Sequence, residues 1–151
     1  MDASLSLISP AKLNLFLHIN GRRGPDQSHA GYHELQTYFQ ILDRGDLMHF
    51  SLPRSEGISI TPEFSDIPTS ENLVYRAATL LQEAALLSTN KPISQLGAHI
   101  HLEKNLPMGG GVGGGSSNAA TTLLALNYLW HLNFSEDQLA KLGARLGADV
   151  P

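Results

Sequence analysis

The chain contains no cysteine, so disulfides, thiolate metal centres and a cysteine nucleophile are excluded together. It has no surplus of positive charge: Lys and Arg number 10 against 14 Asp and Glu, a formal net charge of −4. Such a surface offers no general attraction for a nucleic acid polymer, so phosphate would have to be bound locally, which favours a small nucleotide. No uninterrupted apolar run approaches the roughly 20 residues of a membrane span. The N-terminus, Met-Asp-Ala-Ser-Leu-Ser-Leu, lacks the basic region and long apolar core of a signal peptide. No membrane association is expected, and the cytoplasm is the expected compartment. No internal repeat, low-complexity tract or interdomain linker interrupts the 151 residues, which suit one compact domain.

What the chain does have is glycine in one place. Residues 105–122 read Asn-Leu-Pro-Met-Gly-Gly-Gly-Val-Gly-Gly-Gly-Ser-Ser-Asn-Ala-Ala-Thr-Thr, a loop nearly stripped of side chains that runs into a helix start. Successive glycine N–H groups can turn toward one anion, and the helix adds unpaired donors and the positive end of its dipole. So many glycines cost entropy on folding that a bound ligand is the natural compensation. Three common phosphate loops do not fit. The dinucleotide fingerprint wants an acid about 20 positions later, but the first acids downstream are Glu136 and Asp137 in a capped helix. A Walker loop wants lysine where Gly115 stands, and a protein-kinase glycine loop lies in a hairpin whereas a helix follows here.

Elsewhere the pattern is mixed. Residues 12–20 alternate, Leu13, Leu15, Leu17 and Ile19 against Lys12, Asn14, Phe16 and His18, which predicts a half-buried strand with Lys12 and Asn14 side by side roughly 7 Å apart. Residues 21–31 read as a loop delivering Tyr32 and His33. Further strands are expected at 38–42, 47–52, 58–61 and 98–103. A helix capped by Ser70 is expected to run to about residue 87, a buried helix to span about 116–131, and a last helix to start from the capping box of Ser135 and Gln138 and end at Gly147. Strands, helix, strand, loop, helix, helix is an α+β order, not the alternation of a doubly wound sheet.

Pro107-Met108-Gly109-Gly110-Gly111-Val112-Gly113-Gly114-Gly115-Ser116-Ser117-Asn118-Ala119-Ala120 resembles the phosphate loop of the GHMP kinases, the small-molecule kinases named for galactokinase, homoserine kinase, mevalonate kinase and phosphomevalonate kinase. Ser9-Pro10-Ala11-Lys12-Leu13-Asn14-Leu15 and Gly31-Tyr32-His33-Glu34-Leu35-Gln36-Thr37 resemble the branch of that family acting on a cytidine-diphosphate-linked methylerythritol, in the non-mevalonate route to isoprenoids. The resemblance implies a fold like domain 2 of ribosomal protein S5, with residues 1–151 as the N-terminal, ATP-binding domain and the C-terminal GHMP domain absent from this chain. It implies ATP as phosphoryl donor and the 2-hydroxyl of that small molecule as acceptor; Mg²⁺ follows from the chemistry. A monomer or weak homodimer is expected. A homoserine- or mevalonate-kinase type stays open, although Gly31-Tyr32-His33 speaks against it, as does a non-catalytic nucleotide-binding fragment.

The family's residues carry over position by position. Asp149 is implied to be the base that accepts the acceptor's proton; alone it reads as a surface acid beyond a helix end. Lys12 is implied to pair with Asp149 and polarise the hydroxyl or the γ-phosphate, although alone it is a solvated strand lysine. Asn14 is implied to bond the erythritol hydroxyls or the phosphate, Tyr32 to stack on the cytosine, His33 to read its edge and Phe39 to line the same pocket, unless Phe39 is simply core. Pro107 to Gly115, Asn72 and Lys104 are implied to bind ATP. Ser116 and Ser117 have three open roles: helix cap, phosphate donor or Mg²⁺ ligand. His29 and His33 are four apart but have no third ligand in view, a poor metal pair. His99 and His101 read as solvent-facing strand residues.

Overall fold

Two 19-residue strands dominate the first third of the chain in a computed structural model, which describes residues 3–27, 30–53, 56–63, 67–107 and 110–151. β1 (Ser4–Arg22) and β2 (His33–Ser51) form one antiparallel ribbon from Ser4↔Ser51 to Arg22↔His33. The two strands expected at 38–42 and 47–52 are therefore one. The chain does not turn at Arg44-Gly45-Asp46, because Asp46 and Gly45 pair with Ser9 and Pro10 and the ladder resumes at Lys12↔Ile41 past one irregularity. Gly45 is required at this crossing: a Cβ there would lie 2.0 Å from the Ser9 carbonyl oxygen.

β3 (Ile58–Thr61) and β4 (Ala98–Glu103) complete a four-stranded sheet of order β1-β2-β4-β3, with β4 antiparallel to β2 and parallel to β3. Met48, Phe50, Ile60, Ala98, Ile100 and Leu102 form the sheet's share of the buried core. Helices α1 (Leu73–Ser88), α2 (Gly114–Leu129) and α3 (Glu136–Leu146) supply most of the rest, joined by Leu96, Trp130, Leu132 and Val150 from the segments that flank them. α2 is the central one, with Ala119, Leu123, Ala125, Leu126 and Leu129 all buried.

Helix boundaries follow local chemistry. Ser70 falls in a short 3-10 turn, Thr69–Glu71, and Asn72 caps α1 instead, its side chain accepting from Val74 N–H at 2.9 Å. The Ser135–Gln138 capping box of α3 forms as expected. α2 starts at Gly114, two residues before the expected point, because Gly113 at φ 72° is its cap.

The alternating half-buried strand expected at 12–20 is the main departure. Leu15 is 57% exposed, Ile19 64% and, across the ribbon, Tyr38 59%. Beyond Lys12 the ribbon runs past the edge of the helical layer, so alternation gains no covered face. The irregularity between Asn14 and Phe16 also interrupts the two-residue period.

Candidate functional site

The glycine run builds a cleft before any charged side chain enters. Gly113 takes the left-handed conformation that lets the chain swing into α2, and Ser117 N–H closes the first turn onto the Gly113 carbonyl at 2.8 Å. The N–H groups ahead of that bond have no carbonyl within the helix to take them and stand at the positive end of its dipole. Gly110, Gly111, Val112, Gly113, Gly114 and Gly115 line a 340 Å³ cleft with Asn72, Lys104, Pro107 and Ser116. Met108 and Gly109 lie outside the described residues. Asn72 uses its oxygen as a helix cap, a bond in which its amide nitrogen takes no part.

The two serines separate. Ser117 accepts from the buried Ser9 hydroxyl at 2.9 Å, whereas Ser116 lines the cleft; neither caps the helix. Asn118 also lines the cleft, and its Oδ1 is buried without a partner. Among the described residues no group of three or more His, Cys, Asp or Glu is placed to hold a metal. The hydroxyl of Ser116 and the orphaned oxygen of Asn118 are hard donors of the kind Mg²⁺ takes, one or two at a time, when it arrives with phosphate.

Lys12 joins this cleft to the rest of the site. Its backbone N–H donates to Val112 O at 3.0 Å, and its side-chain stem packs where Gly113 lacks a Cβ, Cγ lying 3.0 Å from that position. The ammonium is then 3.4 Å from Asp149 Oδ2 and 5.6 Å from the centre of the Phe39 ring. Asp149 is held by its neighbour: α3 ends, Val150 N–H bonds Gly147 O at 3.3 Å, and the buried Val150 side chain fills the space beside Gly143. The carboxylate itself stays 59% exposed. An exposed pair of this kind contributes about 0–1 kcal/mol to folding, so stability is a weak reason for it.

A second cleft, of 430 Å³, has Ala148, the residue before Asp149, in its wall. Tyr32 and His33 line it with Arg23, Leu35, Ala148 and Pro151. Asn14 pairs with Phe39 across the ribbon, and its Oδ1 is buried and unpartnered. Phe39 lies against the Lys12 ammonium and is not among the residues lining this second cleft. His29 falls outside the described residues. His99 and His101 are not merely solvent-facing: His99 bonds Ser59 and Thr61, and His101 bonds Thr61, on the sheet face away from the helices.

Sequence reasoning missed Asp46. Its side chain is fully buried and accepts from Lys104 Nζ, Asn105 N–H, Leu106 N–H and Asn118 Nδ2. Burial alone would raise its pKa, but the hydrogen bonds from Lys104, Leu106, Asn118 and Asn105 outweigh burial and hold it below the usual 3.8. An acid between Gly45 and Leu47 gives no sign of this, since carboxylates are usually exposed.

Residues 72–151 match the GHMP kinases N terminal domain. A protein of Haemophilus influenzae (strain 86-028NP) named 4-diphosphocytidyl-2-C-methyl-D-erythritol kinase is 60% identical over 144 residues, 95% of this chain and 42% of that protein. A crystal structure of 4-(cytidine 5'-diphospho)-2C-methyl-D-erythritol kinase superposes with TM-score 0.74 at 39% identity, over 97% of this chain and 47% of that one. A crystal structure of mevalonate kinase shares the fold at TM-score 0.65 and 16% identity, over 97% and 47%. The chain thus spans somewhat less than half the length of these proteins.

Proposed function

The chain belongs to the GHMP kinases, and on that premise we propose that it is the ATP-binding lobe of a kinase that phosphorylates the 2-hydroxyl of 4-diphosphocytidyl-2-C-methyl-D-erythritol. The observation that carries this reading is the Lys12–Asp149 pair, 3.4 Å apart, with Lys12 packed on Gly113 of the glycine-lined cleft and Asp149 next in the chain to Ala148 of the cleft bearing Tyr32 and His33. Phosphoryl transfer asks a protein mainly to align the hydroxyl and neutralise charge on the transferring group. Gly114, Gly115 and Ser116 would hold the triphosphate with backbone N–H groups. Asn72 and Lys104 would contact the rest of the nucleotide. Asp149, open to solvent on one side, would take the proton of the acceptor hydroxyl, and Lys12 would place positive charge beside the incoming oxygen. Tyr32 would stack on cytosine while His33 reads its edge, with Asn14 bonding the erythritol hydroxyls and Phe39 backing the Lys12 side. Mg²⁺, held through Ser116, would supply charge neutralisation on the phosphates.

On this reading the remaining length of the relatives would hold a C-terminal GHMP domain, and the exposed apolar residues of the ribbon, Leu15, Ile19 and Tyr38 among them, would be its contact face. No helix among the described residues is long and apolar enough to cross a membrane. Coupled ADP release by the full-length protein tests the reading. Turnover with the cytidine-diphosphate substrate and none with homoserine or mevalonate is expected. Equal turnover on mevalonate, or none on any of them by a folded full-length protein, contradicts it.

A further inference from the structure

We infer that Asp46 is the positioning residue of the phosphate loop: it ties the two feet of the loop together and aims Lys104 into the nucleotide cleft without touching the nucleotide. This rests on reading that cleft as an ATP site. The geometry is a four-way clamp. Asp46 Oδ1 accepts from Asn105 N–H and Leu106 N–H, both at 2.8 Å, where the chain leaves β4 and enters the loop. Asp46 Oδ2 accepts from Asn118 Nδ2 at 2.9 Å, on α2 where the chain has left the loop, and from the Lys104 ammonium. One carboxylate therefore fixes both ends of a segment whose glycines would otherwise leave it with many conformations.

An ionised carboxylate has about four acceptor positions, and these donors occupy them. Asp46 has no lone pair left for a metal or a substrate proton, and it is fully buried. Its effect must pass through the groups it holds. Lys104 is the most consequential of these. Its Nζ lies 3.5 Å from where a Cβ on Gly114 would stand, so the ammonium sits beside the first residue of α2, where the unpaired N–H groups are. The Asp46 bond takes one of its three protons and leaves two for a ligand. The negative charge beneath the loop is offset by Lys104, and preorganised donors bind an anion with less ordering cost than mobile ones.

The test uses the full-length protein, with KM for ATP and for the acceptor measured separately beside thermal unfolding. Asp46→Asn places an amide NH₂ among four donors, so at least one donor loses its acceptor. The expected result is a rise in KM for ATP of about 10- to 100-fold, with KM for the acceptor within about 2-fold. In a Lys104→Met background the same substitution is expected to add less than the product of the two single effects, because Asp46 acts partly through Lys104. Asp46→Ser, which leaves room for a water among the same donors, serves if Asp46→Asn does not fold. Equal changes in both KM values, a lowered melting temperature with both KM values unchanged, or failure of both variants to fold would each overturn the inference and leave the kinase reading intact. Failure of the unsubstituted protein to bind ATP would overturn the reading of the cleft and this inference with it.

Discussion

The two halves of the β1–β2 ribbon are built from the same two strands and live in different surroundings. In residues 4–11 with 45–51, Ser9, Ala11, Asp46, Met48 and Phe50 are buried beneath helices. In residues 13–22 with 33–41, Leu13, Leu15, Phe16, Leu17, Ile19, Leu35, Tyr38, Phe39 and Ile41 are all exposed. What differs is the layer above, not the alternation within the strands. The covered half meets the glycine-lined cleft through Asp46 and Ser9, whose buried polar groups are hydrogen-bonded to the loop and to α2. The open half holds Asn14, His33 and Phe39, the residues to which the proposed reading gives the acceptor, with Tyr32 just before it. Lys12 stands where the two meet, with its backbone on the loop and its ammonium on Asp149.

The largest effect should come from the junction itself. Asp149→Asn is expected to lower kcat of the full-length protein by about 10²- to 10⁴-fold. Its melting temperature should barely move, since the replaced group is 59% exposed. A stability loss in proportion to the activity loss would make Asp149 structural and erase the distinction between halves. Next come paired truncations on the isolated 151-residue chain. Leu126→Ala, in the fully buried core, should cost about 2–5 kcal/mol, and Leu17→Ala, 42% exposed, should stay within about 0.5 kcal/mol by denaturant unfolding. In the full-length protein the Leu17→Ala cost should grow if a second domain covers the ribbon.

On the open half, Tyr32→Ala is expected to raise KM for the acceptor by about 5- to 150-fold while leaving KM for ATP nearly unchanged, as loss of one stacked base would do. An ATP effect of the same size would dissolve the division between the two clefts. In the loop that packs on Lys12, Gly113→Ala should cost about 1–2 kcal/mol for forcing φ 72° on alanine, and its Cβ would press on the Lys12 stem at 3.0 Å. Acid unfolding gives the smallest expected change. The folded pKa of Asp46 lies below its unfolded value of 3.8, so its contribution to stability is present above pH 3.8 and disappears as pH falls through the folded pKa. Asp46→Asn should flatten the stability profile below about pH 4 and leave its shape near neutrality unaltered.

The features that could be read from sequence were those decided by neighbours in the chain. The glycine run, the capping box at Ser135 and the buried character of α2 each depend on residues within one or two turns, and each appears in the structure. The features that could not be read depend on contacts across the chain. Arg44-Gly45-Asp46 falls between the two strands expected at 38–42 and 47–52, yet Gly45 is there to let Ser9 approach and Asp46 to hold residues about 60 to 70 positions away. Burial of the outer strand residues was unreadable for the same reason: period 2 fixes which side chains share a face, and only packing decides whether that face is covered. The Asn72 cap was misplaced by two residues because Ser70 and Asn72 both suit the role, and the 3-10 turn settles it.

A crystal structure of the full-length protein with a non-hydrolysable ATP analogue and the cytidine-diphosphate substrate tests the central claim most directly. The expected result is the triphosphate on the N–H groups of Gly114 to Ser116, cytosine against Tyr32, and the acceptor hydroxyl about 2.6–3.2 Å from the Asp149 carboxylate. A nucleotide bound along the outer ribbon, or an acceptor hydroxyl out of reach of both Asp149 and Lys12, would contradict it.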